Sequence, residues 1–345
     1  MKANSSKSVT LVLGGVQSCK NHLAQRLAND GGGLMMGSVG HANPARQVLR
    51  QRCAALGKVT ACAMVLLAFA LPAAAVRVVG DETGHKVTLP DHVHRIVCLA
   101  PSITDTVYAI GAGADVAAIT DYTLYPPEAR QKPSIGAILR PSLERIAALH
   151  PDLVIGLAPL NDAETIRGIE RMGIPVFLVK ATGLEGLYSS IASIGRALNR
   201  ETDAAALVAR LRIREQKVRA EAQAGKRPSV FLAISIDPCI TTGRRAFITE
   251  LLTVAGARPV TDDLPQEWVN VNIEAIIPRK PEFVLLLRDS PFGLEQMREH
   301  AGWKSLEAVR MGRVLRIDDR LQYPSPVAFD ALEDFARQLR SAAGR

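Results

Sequence analysis

Two segments of this chain repeat the same pattern 130 positions apart, and this repeat constrains the fold more than any other feature. Residues 141–157 and 271–287 each read as a short amphipathic helix, a proline turn and a fully apolar strand. The matched positions are Glu144 with Glu274, Pro151 with Pro281, and Asp152 with Glu282. Apolar runs after a turn are typical of buried parallel strands. The repeat therefore predicts one α/β lobe that is built twice.

The charge of the predicted folded part is close to zero, which argues against a nucleic-acid partner. The 345 residues carry a formal net charge of +8, but residues 1–75 hold eight basic residues and one acidic residue. Residues 76–345 hold 34 basic and 33 acidic residues. A protein that binds nucleic acid needs a basic face on its folded part. We therefore expect no nucleic-acid partner.

Residues 9–28 look like a strand, a glycine loop and a helix, as in a phosphate-binding loop. Cys19 stands where that loop requires its second glycine, and Asn21 stands where it requires Ser or Thr. The segment resembles the opening of adenosylcobinamide kinases over about twenty residues only. We interpret residues 1–34 as a spurious or degenerate extension without a nucleotide site.

Residues 35–75 read as an export signal with three parts. Four basic residues precede an apolar run at 59–71, and Pro72 with three alanines ends the segment. A basic region, an apolar run and a small-residue cleavage site are typical of a secretory signal. The apolar run is shorter than the about 20 residues of a membrane span. We expect cleavage near Ala75 and an exported protein.

Residues 76–183 are predicted to form an N-terminal α/β lobe. Residues 76–90 alternate around a turn and indicate a β-hairpin. Ser102 with Asp105 reads as a capping box that opens the first helix. The predicted strands of the parallel sheet are residues 96–100, 116–120, 153–157 and 175–179, and helices lie between them.

Residues 184–224 are predicted to be linking helices, and residues 225–345 a C-terminal α/β lobe. The segment after Arg200 lacks Gly and Pro and repeats Leu207, Leu211 and Val218 on one face, which predicts a long amphipathic helix. The elements predicted for the second lobe are strands at 230–236, 283–287 and 314–317, a loop at 237–243, and helices at 246–255, 292–300 and 327–339.

The predicted architecture is two parallel α/β lobes joined by one long rigid helix. In this arrangement the strand ends and helix N-termini of both lobes face the gap between the lobes. Ligands of such sheets bind at the carboxyl ends of the strands. We therefore expect a ligand cleft between the lobes, with little hinge closure.

Several segments resemble the periplasmic cobalamin-binding proteins of ABC importers, within the family of helical-backbone binding proteins for cobalamin, siderophores and haem. They are RIVCLAPSITDTVYAIGAG at 95–113, YPPEA at 125–129, SLERIAALHPDLVI at 142–155, and ELLTVAGA at 250–257 with the second repeat after it. The resemblance implies a monomeric periplasmic protein that delivers a corrinoid to the permease dimer of an importer at the inner membrane. It implies neither catalysis nor a cofactor, and ferric siderophore or haem is the alternative ligand.

The resemblance also implies roles for individual residues. It places Tyr122 and Trp268 in the cleft, Pro101 and Ser102 at the end of the first strand, and Asp319 in the last cleft loop. Tyr323 stands where the family leads us to expect an arginine. The implied permease-docking residues are Glu144 and Glu274, one in each lobe. The positions at which family aromatics are replaced are Ile138, Leu157 and Ile240.

Three other interpretations compete with the corrinoid-binding one. A metal-ion binder needs several His, Asp or Glu ligands that converge from both lobes, yet no histidine falls in a predicted cleft loop. An enzyme would require a motif such as GxSxG or HExxH, and neither occurs. A siderophore binder would use cleft arginines. The candidates for that role are Arg140, Arg244, Arg245 and Arg320. No CxxC occurs, and we expect no disulfide between Cys98 and Cys239.

Overall fold

A computed structural model describes residues 76–158 and 160–344 of the chain. The predicted extension at 1–34 and the predicted signal at 35–75 lie outside these residues. Within them, none of the helices combines the length and apolar composition that crossing a membrane requires.

The first half of the described chain forms a hairpin and a parallel sheet. Its elements are β1 (Val76–Gly80), β2 (Lys86–Pro90), β3 (Ile96–Cys98), α1 (Pro101–Ala109), β4 (Val116–Ala118), α2 (Leu143–Ala148), β5 (Leu153–Leu157), α3 (Ala163–Arg171) and β6 (Val176–Val179). Strands β1 and β2 pair antiparallel, as the alternating sequence predicts. The other four strands are parallel in the order β4-β3-β5-β6.

Two helices lead into the second half, which holds another parallel sheet and a small antiparallel sheet. The elements are α4 (Gly183–Ala197), α5 (Glu201–Gln223), β7 (Ser229–Ala233), β8 (Ser235–Ile236), β9 (Cys239–Thr242), α6 (Phe247–Val254), β10 (Arg258–Pro259), β11 (Trp268–Asn270), β12 (Phe283–Leu287), α7 (Leu294–Glu299), α8 (Glu307–Arg310), β13 (Val314–Ile317) and α9 (Ala328–Ala343). The parallel order is β10-β7-β12-β13, and the antiparallel order is β11-β9-β8.

The repeat in the sequence is a structural equivalence. Strands β5 and β12 are both inner strands of their parallel sheets, each with a parallel neighbour on either side. Asp152 accepts hydrogen bonds from the backbone amides of His94 (2.8 Å) and Arg95 (3.0 Å) just before β3. Glu282 accepts one from the amide of Ser229 (3.0 Å), the first residue of β7. In each lobe the acidic residue before the repeated strand thus holds the start of the neighbouring strand through backbone amides.

The two copies of the repeat differ in the helix that precedes the strand. In the first copy this helix is α2, whereas the second copy has two short 3₁₀ turns, Ile273–Ala275 and Ile277–Arg279. Pro278 stands 130 positions after Ala148, at the end of α2. Proline cannot donate the backbone hydrogen bond that a continuous helix needs at this point. The second copy is therefore broken into turns.

One continuous apolar core runs through both halves of the described chain. A single buried cluster joins both parallel sheets to helices α4 and α5, and its members include Ile155, Leu207 and Leu285. Helix α5 packs against α4, α6 and α9, and the predicted face of Leu207, Leu211 and Val218 is buried. A helix of 23 residues is about 35 Å long. A shared core of this kind opposes hinge motion, because opening it would expose apolar surface.

Two local predictions are wrong. Ser102 and Asp105 do not form a capping box, because α1 begins at Pro101 and its N-cap is Ala100, which makes no side-chain cap. The segment 237–243 is not a loop, because β9 pairs with both β8 and β11 and buries Cys239. Helix propensity alone does not reveal where a proline starts a helix. The segment 237–243 becomes a strand because it pairs with a strand that is distant in sequence. Cys98 and Cys239 are both free and buried.

Candidate ligand-binding site

Exposed apolar side chains are concentrated where the strands of both sheets end. Of the large apolar side chains that are exposed in the described chain, six lie in segments at these carboxyl ends. They are Tyr122, Leu124, Leu139, Leu160, Trp268 and Tyr323. Monomeric proteins seldom expose apolar groups together unless the surface binds something. In parallel α/β sheets this edge is where ligands bind.

The buried side chain of Asn161 ties two segments of the first lobe together. Its Oδ1 accepts a hydrogen bond from the Leu157 amide (2.8 Å), and its Nδ2 donates one to the Ile138 carbonyl (3.2 Å). The loop that carries Leu139 is therefore tied to the end of β5. Gly156 permits this approach, because a Cβ at this position would lie 2.7 Å from Asn161 Oδ1.

Trp268 lies on the small antiparallel sheet, which the sequence did not predict. Strand β11 pairs Trp268 with Thr242 and Asn270 with Ile240. The Thr241 hydroxyl donates a hydrogen bond to the Leu232 carbonyl (2.7 Å), which attaches this sheet to the end of β7. Trp268 is 45% exposed and Tyr122, in the loop after β4, is 71% exposed. Both aromatics therefore have free ring surface, and their contact with one ligand stays a prediction.

A polar cluster follows β12 and β13 at the carboxyl edge of the second sheet; we call it the β12–β13 cluster. Its members are Arg288, Asp289, Asp318, Asp319, Arg320 and Tyr323. Asp318 accepts hydrogen bonds from Arg288 Nη1 (2.9 Å), Arg320 Nε (2.9 Å) and Arg320 Nη2 (3.0 Å). Burial disfavours the charged form of Asp318, but the bonds from Arg320 outweigh it and lower the pKa of this carboxyl. One carboxylate therefore holds two guanidinium groups.

Unlike Asp318, Asp319 and Tyr323 lie in an environment that disfavours their ionised forms. Burial raises the pKa of Asp319, and the nearby carboxylates of Asp289 and Asp318 raise it further. Its Oδ2 accepts a hydrogen bond from the Asp289 amide (3.2 Å). Partial burial, with the charge of Asp319, raises the pKa of the Tyr323 phenol. Tyr323 is 50% exposed, so its ring is open to a ligand.

Segments of the two lobes are in contact at this edge. The Arg320 guanidinium lies over the ring of Tyr125, 5.3 Å from its centroid, which is a cation–π contact. Tyr125 follows Tyr122 by three positions, and Tyr323 follows Arg320 by three positions. The second contact joins Asp105 of α1 to Ser325, which precedes α9; both are buried. The two exposed tyrosines therefore flank a junction between the lobes.

Asp105 is a buried carboxyl whose hydrogen bonding is incomplete. Burial raises the pKa of Asp105 to about 7, and the facing Ser325 hydroxyl lowers it in part. The pair nevertheless falls outside ordinary hydrogen-bond geometry, since Asp105 Oδ1 and Ser325 Oγ find no partner among residues 76–158 and 160–344. Burial raises the pKa of the neighbouring Cys98 thiol, and the charge of Asp105 raises it further.

The other predicted ligand residues are less accessible or lie elsewhere. Ser102 is inside α1 and only 5% exposed, and Pro101 at the start of α1 is partly exposed. Arg140, Arg244 and Arg245 are exposed, whereas Arg320 is committed to Asp318 and Tyr125. His92 and His94 stack on each other outside the cleft loops. Within the part of the chain that the structure describes, no group of His, Cys, Asp or Glu side chains is arranged to hold a metal ion.

Glu144 and Glu274 occupy equivalent exposed positions in the two lobes. The backbone caps beside them are made by other side chains: Ser142 Oγ accepts from the Arg145 amide (3.2 Å), and Asn272 Oδ1 accepts from the Glu274 amide (3.0 Å). Neither glutamate forms an ion pair within the described ranges. The connection that feeds a parallel strand runs antiparallel to it, and both glutamates stand near the start of such a connection, so both lie toward the carboxyl edges.

Arg288, Asp289, Asp318 and Tyr125 were not singled out by the sequence as site residues. Their only sequence signal is position, because each follows an apolar run that reads as a strand. Position after a strand identifies a loop at the carboxyl edge of the sheet. It does not show which charged groups neutralise each other, and that depends on contacts between distant segments.

Residues 96–321 match the family described as periplasmic binding protein, which is more than half of the chain. The chain belongs to this family. Its members are substrate-binding proteins of ABC transporters and are not enzymes.

Individual relatives of this periplasmic binding protein differ in the ligands that their names state. An uncharacterised ABC transporter substrate-binding lipoprotein of Bacillus subtilis, YvrC, is 29% identical over 76% of the chain and 84% of its own length. A vitamin B12-binding protein of Vibrio campbellii is 27% identical over 56% of the chain and 70% of its own length. The apo structure of the periplasmic heme-binding protein RhuT of Roseiflexus sp. RS-1 is 27% identical with a TM-score of 0.67, over 72% of this chain and 99% of that one. These similarities confirm the predicted fold of two α/β lobes with a cleft between them.

Proposed function

We propose that this protein captures a corrinoid, with cobalamin as the ligand, and delivers it to the permease of an ABC importer. The observation that carries the proposal is the group of exposed apolar side chains at the carboxyl edges of both sheets. A corrin is a large flat ring, and aromatic faces cover such rings well. The relative from Vibrio campbellii that is named a vitamin B12-binding protein supports this ligand class.

The proposal assigns a role to each predicted site residue. The ligand contacts are Pro101, Ser102, Tyr122, Trp268, Asp319 and Tyr323, and the permease-docking residues are Glu144 and Glu274. Tyr122 and Trp268 would hold the ring from opposite lobes, while Asp319 and Tyr323 would contact its polar edge. The protein acts as a monomer in the periplasm, after removal of a signal near Ala75, and docks on a permease dimer at the inner membrane.

Haem is the second candidate ligand, and a specific observation favours it over a ferric siderophore. Tyr122 and Tyr323 both have exposed rings at the cleft edge. A tyrosine oxygen is one of the axial ligands that proteins use for haem iron. The heme-binding protein of Roseiflexus, at 27% identity, supports haem as a ligand that this fold can take.

Calorimetric titration of the purified protein with cyanocobalamin and, separately, with hemin distinguishes the two candidates. The corrinoid proposal predicts a saturable heat with cyanocobalamin at micromolar concentration and a weaker response to hemin. Absence of heat with cyanocobalamin at tens of micromolar, together with a Soret shift of added hemin, would replace cobalamin by haem. Binding of a ferric hydroxamate alone would overturn both.

Replacing Tyr122 and Trp268 together with alanine is expected to weaken cyanocobalamin binding by roughly tenfold or more. Each aromatic contact contributes about 0.5–1.5 kcal/mol beyond simple burial, and about 1.4 kcal/mol corresponds to tenfold in affinity. Both side chains are exposed, so the melting temperature should change little. Calorimetry and thermal unfolding of the same preparation measure the two quantities.

The matched control for this pair replaces Met172 and Met311 with alanine. Both methionines are large, apolar and exposed, but they precede β6 and β13 and so lie at the opposite, amino edges of the sheets. The control should bind as the unaltered protein does. If the Tyr122 and Trp268 variant binds cyanocobalamin as tightly as the unaltered protein, neither aromatic belongs to the ligand site.

A further inference from the structure

The β12–β13 cluster has more carboxylates than its arginines can neutralise. It holds two guanidinium groups and three carboxyl groups, and both guanidinium groups bind the same carboxylate, Asp318. Asp289 forms no ion pair within residues 76–158 and 160–344, and the Asp319 carboxylate accepts only a backbone hydrogen bond there. The exposed edge of the cluster therefore presents two carboxylates without a cation partner.

The same edge also presents free donors. Arg288 uses Nη1 for Asp318, and among the described residues its Nε and Nη2 make no further hydrogen bond. Its side chain is 61% exposed. Its backbone is fixed, because its amide donates to the Ile317 carbonyl (2.7 Å) and its carbonyl accepts from Arg316 Nη1 (2.9 Å). The Tyr323 hydroxyl adds one group that both donates and accepts.

Donors and acceptors side by side, with a small excess of negative charge, fit one class of ligand group. A primary amide donates two N–H bonds, which a carboxylate accepts, and its carbonyl accepts from a guanidinium. A ligand carboxylate or phosphate can only accept, so Asp289 and Asp319 would repel it at close range. Like charges brought together across an interface weaken binding strongly.

We propose that the β12–β13 cluster recognises primary amides at the edge of a neutral macrocycle and discriminates against ligands whose edge carries carboxylates. This inference rests on the proposed function, because a corrin is fringed with primary amides whereas haem carries propionates. Arg288 and Asp289 thereby become specificity-determining residues together with Asp319, and Arg320 is a positioning residue that holds Asp318 and Tyr125.

The test compares cyanocobalamin with its monocarboxylates, in each of which one peripheral propionamide is hydrolysed to the acid. The full protein is expected to bind cyanocobalamin about tenfold more tightly than at least one monocarboxylate at a pH of about 7.5. In the Asp289→Asn and Asp319→Asn double variant this ratio is expected to fall below about threefold, because the repulsion is removed. An asparagine side chain in place of Asp319 retains an oxygen that can accept the Asp289 amide.

The control double variant, Asp203→Asn with Asp334→Asn, changes the net charge equally on α5 and α9. It should keep the full ratio between the two ligands. If cyanocobalamin binds but the monocarboxylates bind equally well, the inference is overturned and the proposed function stands. If the control also lowers the ratio, net charge rather than the cluster is responsible and the inference again fails. If cyanocobalamin does not bind, the proposed function and the inference both fail.

Discussion

Replacing Glu144 and Glu274 together with alanine is expected to abolish transport while leaving ligand affinity intact. Both carboxylates are exposed and lie 130 positions apart at equivalent points of the two lobes. A pair of charges at the rim of an interface sets orientation and association rate more than affinity. In the proposed function, one glutamate in each lobe would let the protein contact both halves of a two-fold permease dimer at once.

Helix stabilisation is the alternative explanation for these two glutamates, and the structure weakens it. The N-terminal caps are made by Ser142 and Asn272, not by the glutamates. A carboxylate near a helix N-terminus gains about 0.3–1 kcal/mol from the helix dipole. Glu144 lies in the first turn of α2, but Glu274 lies in a 3₁₀ turn of three residues, where little dipole can accumulate.

Transport into proteoliposomes that contain the cognate permease measures the effect, with ligand affinity determined by calorimetry on the same preparations. The matched control is Glu201→Ala with Glu299→Ala, which removes two other exposed carboxylates. It should transport normally. Normal transport by the Glu144 and Glu274 variant would show that the two glutamates have no docking role and act only as acidic residues at the start of a helix or turn.

Replacing Asp105 with asparagine is expected to stabilise the protein near pH 8 by an amount on the order of 4 kcal/mol. The pKa of Asp105 rises from 3.8 to about 7 on folding, because the carboxyl is buried. Between about pH 4 and 7 the folded protein keeps a proton that the unfolded chain has lost, so the stability falls as pH rises. Each unit of pKa difference corresponds to about 1.4 kcal/mol. Asparagine has no charge to bury.

Chemical unfolding at about pH 5 and about pH 8 checks this prediction. The variant should gain stability over the unaltered protein at the higher pH, and the gain should shrink toward zero near pH 4, where the unfolded chain also begins to hold the proton. Asp203→Asn, on the exposed face of α5, serves as the control and should leave the pH dependence unchanged. Parallel stability curves for the Asp105 variant and the unaltered protein would contradict the role of Asp105.

The location of the candidate site is predictable from sequence in outline only. Tyr122, Asp319 and Tyr323 follow apolar runs, and this pattern alone places them at strand ends. Trp268 is indicated by family resemblance, while part of the small sheet that carries it is predicted as a loop. Strands β8, β9 and β11 are short, and the pairing of β9 with β11 depends on residues that are distant in sequence.

Local sequence patterns predict the two parallel α/β lobes, the long helix α5 and the equivalence of the repeated segments. Apolar periodicity and turn residues are local signals, so they remain readable in the sequence. Which polar groups share an environment depends on contacts that exist in the folded chain alone. The sequence predicts Asp105 as a helix cap, yet it lies buried against Ser325, 220 positions away. It predicts Arg320 as a candidate for ligand binding, yet Asp318 and Tyr125 hold this side chain. Burial and charge pairing depend on what folding brings together, and no local pattern records this.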